Sequence, residues 1–124
     1  MEIKHLLEIR SILSGIGALG ATETRYRMGK FIIDTNYNEK FYREETQKII
    51  DEFADKNEDG TTNTDENGNI HIKKDKADEF YHRVQQLDSM DVPCPDAFLT
   101  LSEIDPFSLS VSDLVILNPI IKEE

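Results

Sequence analysis

The stretch from Asp55 to Ile72, DKNEDGTTNTDENGNIHI, separates two amphipathic helical sequences, and any fold of this chain must accommodate that interruption. It is polar and rich in turn residues. NEDG and DENGN are turn signals, and TTNT and NIHIK alternate with the Thr and Ile content of short strands. A chain that leaves one helix, turns and enters another folds back on itself. The spacing therefore predicts a mainly α fold: an antiparallel, coiled-coil-like helical hairpin with arms at 22–55 and 75–89, joined by a short β-hairpin or loop at a tip spanning 56–74. Such a two-stranded unit is only marginally stable alone.

The outgoing arm opens at Thr22, a good N-cap, with Glu23 in its first turn. No proline interrupts it, and Met28, Ile32, Thr35, Glu39, Tyr42, Thr46, Ile49 and Phe53 form a seam alternating by four and three. Phe31, Ile33, Tyr37, Phe41 and Ile50 lie off that seam. Asp34, Asn36 and Asn38 are poor helix formers, so a joint at 34–38 is the alternative to one continuous helix. The returning arm carries Ala77, Phe80, Val84 and Leu87 as its apolar stripe, suited to the Tyr42, Ile49 and Phe53 side of the first arm.

Ahead of the arms, Ile3, Leu6, Ile9, Leu13 and Ile16 predict a first helix over 2–14. Gly15, Gly17 and Gly20 follow, and three glycines in six residues imply a break or a close backbone crossing. After the arms, residues 92–124 form a C-terminal packing segment. The prolines of VPCP force an extended course, and the alternation of FLTLSEI predicts a strand or extended segment over 97–104. Ser110 caps a short helix, SVSDLVIL, with Asp113 three residues on, and Asn118-Pro119 stops it. The apolar tail of Leu114, Ile116, Leu117, Ile120 and Ile121 packs across the helices or onto a partner, and these five are the candidate partner-binding residues.

At 124 residues the length fits a single domain. Apolar residues make up 38% and charged residues 31%, a balance that suits helices with wet faces. No apolar run is long enough to span a membrane, and MEIKHLLEIR has charges within its apolar segment, unlike a secretory signal. The net charge of -11 is uneven: residues 1–50 hold 8 basic and 7 acidic side chains, residues 51–124 hold 6 and 18. This argues against nucleic acid and anionic membrane as partners and favours a protein partner, a basic one above all, self-association, or a divalent cation.

One ligand can be argued from spacing. Asp55, Asn57, Asp59, Gly60 and Glu66 match the calcium-loop pattern D-x-[DN]-x-[DN]-G-x5-E, with Thr61 supplying a carbonyl and Asn63 acting directly or through water. Thr62 at position eight and the strand-like NIHI in place of an exit helix depart from that pattern, and hairpin turns account for the same residues without a metal. No other cofactor is indicated. His5, His71 and His82 show no ligand spacing, and Cys94 has no base near it in sequence. GIGALG follows helical sequence rather than a strand, so it reads as a helix junction. Arg25, Arg27, Lys30, Lys40 and Arg43, interleaved with Tyr26, Tyr37 and Tyr42, make the outgoing arm locally basic, for pairing with the acidic half or for a protein contact.

MEIKHLLEIR, ETRYRMGKFI, the acidic EFADKNEDG…DENGNIHI run, DKADEFYHRVQQL and the LSVSDLVILNPIIKEE tail, in this order, resemble a family of small uncharacterised proteins encoded by phages and prophages. The resemblance implies a phage origin, location in the cytoplasm of a bacterial host or in the virion, and a binding or assembly role. Three functions are consistent with the residues: a non-enzymatic module binding another protein in virion or tail assembly or capturing a host factor, an acidic nucleic-acid mimic that inhibits a nuclease or defence protein, and a calcium-binding loop protein.

Overall fold

A computed structural model describes residues 1–16 and 20–123 of the chain. It is mainly helical: α1 (Ile3–Ile16), α2 (Thr22–Asp34), α3 (Asn36–Phe53), α4 (Ala77–Asp88), α5 (Leu101–Ile104) and α6 (Val111–Leu117), with short 3-10 turns before α4 and after α5 and α6. None of these helices is long and apolar enough to cross a membrane. The chain divides into two compact units, Met1–Glu39 with Asp91–Glu124 and Lys40–Met90.

The first unit is discontinuous in sequence. Ile3, Leu6, Ile9 and Leu13 of α1 are buried, as their spacing predicts, and Thr24, Met28 and Phe31 of α2 join them. Leu99, Ile104, Leu117 and Ile120 complete this core from the other end of the chain. Backbone hydrogen bonds fix the closure. Val92 N donates to Met1 O at 2.8 Å, and Phe98 N and Leu99 N both donate to Ile120 O. The His5 ring nitrogen Nε2 lies 2.8 Å from Ile116 O, joining α1 to α6. Gly20, with φ +90, lies under the Phe107 ring, where a Cβ would come within 2.8 Å of Cζ. The close neighbour is a side-chain ring rather than a second backbone, and Gly15, in the last turn of α1, has open space around it. Gly17, of the same cluster, lies outside the described residues.

The outgoing arm is not one helix over 22–55. It breaks at Thr35, within the alternative joint at 34–38, and α3 starts at Asn36. The Thr35 hydroxyl donates to Phe31 O at 2.8 Å, a back-bond that bends helices. The Arg10 guanidinium, reaching over from α1, donates to Ile32 O, to Thr35 Oγ1 at 3.0 Å and to Asn36 Oδ1 at 2.7 Å. In an unbroken helix the Ile32 carbonyl would accept from the amide of residue 36; at the break Arg10 bonds it instead, together with the two side-chain oxygens.

A second expectation is overturned at 97–104. Leu99 makes a single parallel bridge with Ile121, but Leu101–Ile104 is helical. Its cause is a complete capping box: Thr100 Oγ1 accepts from Glu103 N, and the Glu103 carboxylate accepts from Thr100 N. The alternation of apolar residues lost to that local hydrogen bonding. Ser110 does cap α6, its hydroxyl accepting from Asp113 N at 3.1 Å.

In the second unit, α3 and α4 touch at several points. The Phe53 and Phe80 rings meet edge-on at 6.2 Å, Tyr42 donates to Asp88 at 2.5 Å, and Arg83 pairs with Glu52 at 3.1 Å. Between the helices there is no strand among the described residues. The backbone meets itself in single antiparallel bridges, Ala54 with Ile72, Lys56 with Thr62 and Thr64 with Ile70. Two turns, with Gly60 and Gly68 at positive φ, reverse the chain separately.

Candidate functional site

The residues expected to bind calcium are split between those two turns. Asp59 is turned onto its own loop: one carboxylate oxygen accepts from Thr61 N at 3.0 Å and from the Thr61 hydroxyl at 2.6 Å. These bonds, the hydroxyl's foremost, hold its carboxyl below the usual carboxylate range. Asn57 donates to Thr61 Oγ1, and Asp55 lies 2.5 Å from His71 Nδ1. Glu66 belongs to the second turn, which Asp65 closes by accepting from Asn69 N and Asn67 N; the Asn69 amide is the chief reason the Asp65 carboxyl is also held low. Asp55, Asp59 and Glu66 are therefore not gathered, and among the described residues no group of three or more His, Cys, Asp or Glu side chains is placed to hold a metal ion.

The C-terminal residues expected to meet a partner are placed differently from one another. Leu117 and Ile120 are fully buried and form part of the first unit's own core, so neither has surface to offer. Leu114, Ile116 and Ile121 are half-buried. The exposed apolar side chains of this region are instead Leu101, Val111 and Val115. Helix α6 packs on α1, and the buried tail residues belong to that core.

Three of the large exposed apolar side chains lie on α2 and the first turn of α3, while Tyr81 is exposed on α4. Tyr26, Ile33 and Tyr37 are 71%, 69% and 75% exposed. Tyr26 and Ile33, seven apart, share one face of α2, and Tyr37 lies four residues further on, just beyond the break at Thr35. Gly29 lies between the first two, in the interior of α2, and a Cβ built there meets nothing within 4 Å. It lies in a shallow, open surface notch of about 390 Å³ bounded by Tyr26, Lys30, Ile33 and Asp34. Lys30 and Asp34 pair at 3.1 Å one helical turn apart.

Lys30 and Asp34 also border a second concavity in the same unit, of about 550 Å³. Phe31 and Phe98, stacked at 5.6 Å, form its aromatic lining, with Pro93 and Pro95 alongside. Behind it a polar network locks α2 to α5. Glu103 Oε2 accepts from the Thr24 hydroxyl at 2.7 Å and from Arg27 Nη2. Sequence reading missed this anchor, although Thr100-Leu101-Ser102-Glu103 carries the T-x-x-E signature of a helix start. Of the basic residues on α2, Arg27 and Lys30 are thus paired within the chain.

His82 and Cys94 are exposed, and the Cys94 thiol lies 3.6 Å from the carbonyl of Pro95. The arrangement around α2 offers shape, apolar surface and paired charge, the chemistry of recognition. The chain matches no family model, no curated protein and no solved structure.

Proposed function

We propose that this chain is a non-enzymatic protein-interaction module that engages its partner through the exposed face of α2. The observation that carries this is the line Tyr26–Gly29–Ile33–Tyr37: two exposed aromatics and an exposed isoleucine flanking a helix-interior glycine that the chain's own packing does not require. Aromatic side chains supply large contact area at little entropic cost and are enriched in the cores of protein interfaces. A glycine there allows a partner's side chain or backbone to approach closely. The adjoining pocket with its Phe31–Phe98 lining extends the same surface.

In this reading the second unit is an antiparallel helical hairpin with a β-hairpin-like tip. Support comes from the pairs Tyr42–Asp88, Glu52–Arg83 and Phe53–Phe80, whose numbers rise on one arm as they fall on the other. The phage-type setting implied by the resemblance gives the module its roles, virion or tail assembly or the capture of a host factor.

The test is affinity purification of the tagged chain from its native cell beside the Ile33→Asp variant. Ile33 is exposed, so the variant is expected to fold, which circular dichroism checks. A protein that co-elutes with the wild type and is lost with Ile33→Asp supports the reading. Identical co-eluting sets sink it.

A further inference from the structure

We propose that the partner of the α2 face is a second copy of this chain, docked antiparallel about a twofold axis near Ile33. This rests on the reading of that face as an interaction surface and names its occupant. Charge narrows the choice. Each copy carries -11, so copies approaching through acidic surfaces repel. Helix α2 contains Glu23, Arg25, Arg27, Lys30 and Asp34, a net +1, and its exposed stripe is where that repulsion is least.

Shape selects the register. The notch over Gly29 has dimensions suited to a side-chain ring, and Tyr37, two turns further along the same line, projects one. Residues 29 and 37 lie four positions before and four after Ile33. Reversing one copy over the other about Ile33 therefore carries each Tyr37 onto the other's notch, twice by symmetry. The same operation brings Lys30 of each copy within a turn of Asp34 of the other, opposite charges meeting on both sides of the axis. Knob, notch and charge all lie on a single patch that complements itself, which is what an isologous contact demands. An interface of one helical face is small, and interfaces of that class are transient.

The test is sedimentation equilibrium of the purified full chain from about 10 µM to about 1 mM, a range matched to a weak contact. The wild type is expected to show reversible dimerisation. Lys30→Asp and Asp34→Lys, examined separately, are each expected to weaken it about tenfold or more, because like charges then face one another across the axis. Mixing the two variants in equal amounts is expected to restore it, since every residue 30 then meets an opposite charge at residue 34 of the other copy. Both variants lack the intrachain pair, so altered folding cannot produce that recovery. Tyr37→Ala is expected to weaken the dimer comparably. A wild type that is monomeric at about 1 mM overturns the second copy as partner, and if Ile33→Asp still loses a protein in the cell, the interaction surface itself stands. A dimer indifferent to all three substitutions, or a mixture no stronger than either variant alone, overturns the proposed register and face.

Discussion

Gly29→Ala separates what the fold needs from what the surface is for. Gly29 is the eighth residue of a thirteen-residue helix, well inside its ends. A helix-interior glycine is about 0.8–1.0 kcal/mol less favourable than alanine, because the unfolded chain has more freedom to lose. The added methyl meets no atom within 4 Å, so neither a clash nor a new packing contact offsets that difference. The variant is thus expected to be more stable by about 0.5–1 kcal/mol, a rise in Tm of about 2–4 °C for a domain of this size. Circular dichroism melts and urea titrations at about 5 µM chain, below the range of a weak contact, are the assay. At high concentration the sign reverses in function: the methyl intrudes on the notch, and self-association weakens while the fold gains. A dilute sample whose Tm falls, or does not change, would refute the reasoning, because it would mean that residue 29 is held by the fold in some way that an open helical position is not.

Two further perturbations probe the joint and the second unit. Arg10→Met is expected to cost about 2 kcal/mol in urea unfolding, since it removes charged donors from Ile32 O, Thr35 and Asn36 and keeps most of the apolar stem; a loss within error would mean the joint holds without its clamp. Tyr42 is pushed up to about 12, first by burial and then by the Asp88 carboxylate that accepts its proton. The folded state favours the neutral phenol, so this contribution is complete below pH 10 and disappears as pH rises from about 10 to about 12. Tyr42→Phe is expected to lose about 1–2 kcal/mol at neutral pH and to show a shallower alkaline decline, and a variant that tracks the wild type through that window contradicts the assignment.

What was legible in the sequence was local. The α1 stripe, the Ser110 cap and the returning helix follow from spacing and capping chemistry within a few residues, and they stand where those signals place them. The C-terminal segment was misread for two reasons. In FLTLSEI a period-two apolar pattern competed with the Thr100–Glu103 capping box, and the hydrogen bonds won over the pattern. In the tail, apolar residues looked available to a partner, yet Leu117 and Ile120 are buried in the first unit's core, where α6 packs on α1. Nothing in a local window shows that the two ends of the chain build one core. The exposed face of α2 was hidden for a related reason. Phe31, Ile33 and Tyr37 all lie off the long seam, and only the placement of α1 and the C-terminal segment makes Phe31 core and leaves the other two in solvent.

The break at Thr35 connects these misreadings to function. A straight helix over 22–55 would have carried its seam through Thr35 and Glu39, polar residues at positions that should be apolar, so the seam had no single partner surface to bury against. Ending α2 at Asp34 releases the two halves: Met28 and Phe31 turn to the first unit's core, and Ile49 and Phe53 are buried in the second. The exposed stripe straddles that break, with Tyr26 and Ile33 before it and Tyr37 after it. The angle at the joint therefore sets where Tyr37 points relative to the notch over Gly29. Arg10 bonds to residues on both sides of the break, Ile32 and Asn36, and to Thr35 between them. A side chain on α1, bonded to the residues next to Ile33 and Tyr37, thus bears on the geometry of that face, which is why the same cation belongs to the account of stability and to the proposed recognition.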